Sequence, residues 1–111
     1  MSVVLIENKV TGADLQKAGE DYGKFIKIVV DVEKELITIG GEWHVDGEKI
    51  LIERGSQQQD LWGGGIDTET KNIETIALIN LRSNQDNNSQ EILDRNIRDK
   101  FVKIVKEKFG L

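Results

Sequence analysis

The 111 residues contain no cysteine and no proline, and only one histidine, His44. Without cysteine, disulfides, iron–sulfur clusters, thiolate-bound zinc and a cysteine nucleophile are all excluded. Proline-free loops together with thirteen Asn and Gln residues do not fit a hyperthermophile. No apolar run approaches the ~18 residues of a membrane helix. The stretch Met1 to Ile6 has no basic start, and its apolar run is too short for a signal peptide. A cytoplasmic location with no membrane contact is therefore expected. A net charge of −5 makes general nucleic-acid binding a poor fit, because phosphate contacts need clustered Lys and Arg.

What is present suits one folded domain over residues 1–111. Leu, Ile, Val and Phe make up about a third of the chain, above the ~20% below which disorder is expected. A chain of this length buries roughly 60–65% of its unfolded surface. Charge is unevenly spread. The last eighteen residues carry six basic and three acidic groups, so the C-terminal segment is basic and the remainder acidic.

Periodicity predicts the elements. Thr11 is placed to cap a short helix with a Leu15, Ala18, Tyr22 stripe that stops at Gly23. Lys24 to Val32 alternates, with Ile26, Ile28, Val30 and Val32 on one face, and Leu36 to Ile39 is a second β run. The short charged link between them predicts a hairpin. Val45 to Arg54 reads as a helix closed by Gly55. Asp60 to Ile66 is a weak strand, and Gly63-Gly64-Gly65 predicts a bulge or wide loop within it. Ile73 to Leu81, apolar on both faces, reads as the central strand. Ser83 to Gln90 is an all-polar loop, and Asp94 caps a last helix with an Ile97, Phe101, Ile104, Val105 stripe. The expected fold is α+β, in the order α-β-β-α-β-β-α. It has a four-stranded, mostly antiparallel sheet and helices packed on one face.

Two segments could carry chemistry. In the first, Glu42, His44, Asp46 and Glu48 recur at every second position. On a strand they would share a face and suit a divalent metal. The apolar run from Ile50 instead favours a helix there, with Asp46 and Glu48 as first-turn acids complementing its dipole. No metal or cofactor is therefore expected. His44 is the one unperturbed group able to titrate near neutral pH. Its functional reading is a general base oriented by Glu42. Its plainer reading is a residue at the helix start that bonds locally.

The second segment follows Ile73 to Leu81. Arg82, Asn84 and Gln85 offer a planar fork and amide groups for an anionic ligand. The plainer reading is a solvated turn. The glycine triplet matches neither nucleotide-binding pattern. Its neighbour Trp62 is expected in the core or at an interface. Lysines of the last helix interleave with its apolar stripe, as in any amphipathic helix, and its phenylalanines are expected to be buried away from bases.

Three stretches, Ile39-Gly40-Gly41-Glu42-Trp43-His44, Asp60-Leu61-Trp62-Gly63 and Ala77 to Gln85, together resemble a small bacterial and archaeal family of uncharacterised single-domain proteins, a domain of unknown function. The likeness runs from about residue 25 to the end. It implies no known activity, cofactor or catalytic residue. The residues themselves favour a ligand- or partner-binding domain, with self-association through Trp43 and Trp62 as one form. The alternative is a small hydrolase-like enzyme acting on an anionic or phosphate-bearing ligand, joining Glu42 and His44 to Arg82, Asn84 and Gln85. That alternative requires His44 and Arg82 to share a pocket.

Overall fold

The computed structural model describes residues 3–19 and 24–111. Among these, β1 (Val4–Ile6), β2 (Phe25–Asp31), β3 (Leu36–Ile39), β4 (Leu61–Asp67) and β5 (Ile73–Glu74) form one antiparallel sheet in the order β1-β3-β2-β4-β5. The helices are α1 (Gly12–Ala18), α2 (His44–Glu53) and α3 (Arg95–Phe109).

Local chemistry sets most of the boundaries. Thr11 Oγ1 accepts from Asp14 N–H while Asp14 accepts from Thr11 N–H, which closes both ends of a capping box on α1. The predicted stop of this helix at Tyr22 and Gly23 lies outside the described residues. Asp94 accepts from Asn96 and Ile97 N–H at the start of α3, and Gly110 ends it in the left-handed region. The β2–β3 hairpin turns over Asp31, whose carboxylate accepts from Glu33 N–H, Lys34 N–H and the Ser56 hydroxyl.

The sheet is covered on both faces, not on one. Ile26, Ile28 and Val30 of β2 join Ile37, Ile39, Trp62 and Ile66 under Phe101, Ile104 and Val105 of α3. Val29, one residue out of phase, packs on the opposite face with Leu51 of α2 and Leu61. Strand alternation explains this: β2 is apolar at both phases, so each face needs its own cover. β2 is accordingly the central strand.

Three further expectations are corrected. The sheet has five strands, because Val4–Ile6 pairs with β3 in register Val4↔Ile39. A three-residue edge strand carries too little alternation to stand out in sequence. The glycine triplet makes no bulge: β4 pairs with β2 in seven consecutive registers, from Phe25↔Asp67 to Asp31↔Leu61. Side chains from elsewhere occupy the space that the glycines leave open. A Cβ on Gly64 would lie 2.7 Å from the Phe101 ring, and one on Gly63 would lie 2.7 Å from Ala77 Cβ. Finally, Ile73 to Leu81 is not a central strand. Within the sheet only Ile73–Glu74 pairs, at the edge; Ile76 makes an isolated bridge to Glu91, and Leu78–Asn80 is a 3-10 turn.

α2 rests on the sheet through a glycine. A Cβ on Gly47 would overlap Thr38 Oγ1 and come within 3.1 Å of Val29. Alanine in a helix interior gains about 1 kcal/mol over glycine, but overpacking costs about 1–3 kcal/mol. Because the sheet beneath is fully paired, the second effect wins. Gly47→Ala is expected to lower unfolding free energy by about 1–2 kcal/mol in urea titrations. In a Thr38→Ala background the same change should become neutral or favourable. An equal loss in both backgrounds would show that this contact does not limit the approach of the helix.

Candidate functional site

α2 begins at His44, so Glu42 stands before the helix and the four period-two residues do not share a face. Asp46 accepts from Trp43 N–H at 3.2 Å, the first-turn capping role. His44, Gly47, Glu48 and Leu51 recur at helical spacing and meet the sheet. Glu42 is exposed, and the partner of the imidazole is Gly64 of β4. Among the described residues, no group of three or more His, Asp or Glu side chains is placed to hold a metal.

His44 Nε2 lies 2.6 Å from Gly64 O. A carbonyl oxygen only accepts, so Nε2 carries the proton and donates. The pKa of His44 is lowered from 6.5. Burial is the largest cause; the Gly64 bond works against it, and the charge of Lys27 adds to it. At neutral pH the ring is therefore uncharged, with its lone pair on Nδ1. No described residue donates to Nδ1. The one buried side-chain N or O atom without a hydrogen-bond partner among the described residues is Glu48 Oε2, so Nδ1, which has no such partner either, is not fully buried.

The imidazole lines a cleft of about 530 Å³. One wall is the first turn of α2, with Trp43 and Val45; the other is Ile76 to Ile79, with Lys27 and Gln90 completing it. Trp43, Val45, Ile76 and Leu78 are 62, 54, 50 and 68% exposed, respectively. Of these, the sequence singled out only Trp43, as an anchor for self-association; Val45, Ile76 and Leu78 were not legible as part of a site. Ile76 and Leu78 fit a buried strand by periodicity, and the one clue against it was polar Asn80 inside the same run.

Asn80 explains how that wall is held. Beyond the end of β5, its side-chain amide replaces a strand partner for β4. Asn80 Oδ1 accepts from Gly63 N–H at 2.8 Å, and Nδ2 donates to Gly63 O at 2.9 Å. Nδ2 also reaches Gln90 O at 2.9 Å. Asn87 fastens the loop that follows. Its Nδ2 lies 2.7, 3.0 and 2.9 Å from Asn80 O, Ser89 O and Glu91 O, and its Oδ1 accepts from Leu93 N–H. The segment expected to be a solvated turn is therefore built around a buried amide.

The remaining sequence-predicted residues sit elsewhere. Trp62 is 2% exposed and belongs to the core. Arg82 is 8% exposed, with its guanidinium carbon 4.6 Å from the Trp62 ring centroid. Arg82 donates to Ile79 O, Gln58 O, Gln85 Oε1 and Leu61 O, and lies 3.8 Å from Glu48 Oε2. Four of its five N–H groups are thus engaged. Burial holds its pKa below the ordinary value, with Glu48 opposing. Arg82, Asn84 and Gln85 do come together, around a separate polar cavity of about 320 Å³ shared with Gln57, Gln58 and Gln59. His44 and Arg82 line different cavities.

Two outcomes follow. The native state resists protonation of His44, so its contribution is fully present above pH 6.5 and is lost as pH falls through the lowered native pKa. Between about pH 7.5 and about pH 5, the wild type should lose more unfolding free energy than His44→Gln, which can still donate to Gly64 O but does not titrate. Parallel profiles would refute the buried neutral ring. Separately, Asn87→Ala strands several buried carbonyls and should cost about 2–3 kcal/mol in chemical denaturation. A change below about 0.5 kcal/mol, typical of surface sites, would mean the loop does not depend on it.

No curated protein and no solved structure matches the chain. A family model described as "Protein of unknown function (DUF5674)" matches residues 4–108.

Proposed function

This chain belongs to DUF5674, a family whose function is unknown, and from that premise we propose that it is a binding domain. In this reading it takes a small, largely apolar ligand between the first turn of α2 and Ile76 to Ile79. The observation that carries the reading is the convergence of four solvent-exposed large apolar side chains on one cleft with a single neutral imidazole in its wall. Small-molecule sites are typically clefts of about 300–1,000 Å³, mostly apolar, with a few fixed polar groups. A stable interface between two chains takes about 20–30 residues a side, whereas nine residues line this cleft. That difference favours a small molecule over a second copy.

The hydrolase-like alternative draws less support. Its anion-binding fork is consumed by protein carbonyls, and the candidate base is turned toward Gly64 and not toward Glu42. The basic surface of α3 draws little support as a base-stacking platform, because Phe101 is fully buried and Phe109 is partly buried against the core. No helix among the described residues is long and apolar enough to cross a membrane.

Amide NMR during titration with ethylbenzene tests the proposal. Shifts should cluster at Trp43, His44 and Val45 and at Ile76 to Ile79. Leu78→Asp should remove them while changing unfolding free energy by no more than about 0.5 kcal/mol, as expected for an exposed position. Shifts centred on another cavity, or none, would overturn the reading. Shifts at these residues that track protein concentration without ligand would assign the patch to self-association instead.

A further inference from the structure

We propose that the ligand of this cleft is a neutral aromatic molecule bearing one hydroxyl group, whose O–H donates to His44 Nδ1. The inference rests on the cleft being the binding site and goes on to specify the chemistry of the occupant.

The two ring nitrogens of His44 have opposite roles. Gly64 O can only accept, so it fixes the proton on Nε2. In an uncharged imidazole the other nitrogen is then an acceptor and nothing else. Nδ1 has no donor among the described residues and is not among their buried atoms that lack a hydrogen bond, so it keeps accessible surface. His44 borders the cleft, and the ligand group that complements it is a hydrogen-bond donor.

Charge narrows the choice. A carboxylate or phosphate has no proton to give and would set its lone pairs against that of Nδ1. An ammonium has protons, but it would bring a full charge into a cleft lined mostly by apolar side chains, where desolvating a charge is costly. A neutral O–H satisfies both constraints. The ring follows from Trp43, which leaves 62% of its surface at the rim, and aromatic pairs contribute about 0.5–1.5 kcal/mol beyond area burial. Ile76 and Leu78 complete an apolar slot for the rest of the molecule.

Matched probes test this: 4-ethylphenol, 4-ethylanisole, 4-ethylbenzoate and ethylbenzene, titrated by amide NMR and by tryptophan fluorescence. 4-Ethylphenol should bind about tenfold more tightly than 4-ethylanisole, the ratio expected for one hydrogen bond at a partly desolvated site. On binding, the Nδ1 resonance of His44 should move as a bare nitrogen does when it accepts a hydrogen bond, a readout that needs no variant. His44→Phe should bind the phenol and the anisole equally. His44→Gln keeps a donor for Gly64 O and an acceptor for the ligand, and should retain part of the preference. Equal affinities on the wild type would overturn the hydroxyl assignment while leaving the cleft intact. A preference that survives in His44→Phe, or 4-ethylbenzoate binding as tightly as the phenol, would overturn the role of Nδ1. Failure of every probe, ethylbenzene included, would remove the cleft itself as the site.

Discussion

The seating of α2 on the sheet governs the rest of the molecule. The face of the helix that meets the strands has only one large apolar residue, Leu51; its other members are His44, Gly47 and Glu48. Apolar area alone would hold such a face weakly. It is held by close approach at Gly47, where the helix backbone comes down on Thr38 and Val29, and by polar bonds at its start. His44 to Gly64 O ties the first turn to the middle of β4, and Asp46 closes the helix end over Trp43 N–H. Because the imidazole is used this way, its tautomer is set by the fold and not by solvent. That is what converts a lone histidine into an oriented acceptor.

The second wall of the cleft depends on two asparagines. β5 pairs for only two residues, and beyond it the open edge of β4 would expose unpaired backbone groups. Asn80 caps that edge with its own amide, which frees the chain from strand geometry and lets it turn at Leu78–Asn80. The turn carries Ile76 and Leu78 outward beside Trp43. Asn87 and Arg82 then pin the following loop from within, Arg82 by stacking on Trp62 and donating to carbonyls of β4 and of the turn before it. Polar residues thus occupy the interior here so that apolar ones can face out, the reverse of the usual arrangement.

This reversal also explains which parts of the structure the sequence made legible. Elements with period and caps could be read closely: the helix expected at Val45 to Arg54 is His44–Glu53, and Thr11 and Asp94 cap as their residue types predict. The β2–β3 hairpin and the α+β class follow from alternation. β4 reads as a strand over Asp60 to Ile66, but its unbroken pairing through the glycines and the 76–81 segment could not be read, because each depends on partners distant in the chain. Gly63-Gly64-Gly65 looks like a break until Phe25, Phe101 and Ala77 fill the space above it. Ile76 and Leu78 look buried until Asn80 is seen turned inward. His44 stood out in the sequence as a candidate, but its neighbours in space, Ile76 to Ile79, are more than thirty positions away, and no local spacing announces them.

The selectivity of the cleft rests on the protonation pattern of one ring. A long-range proton–nitrogen NMR correlation of the His44 imidazole at neutral pH reads it directly. The structure predicts a protonated Nε2 engaged with a carbonyl and a bare Nδ1. A ring protonated on Nδ1 instead, or on both nitrogens, would contradict the oriented acceptor and with it the basis for the cleft's selectivity.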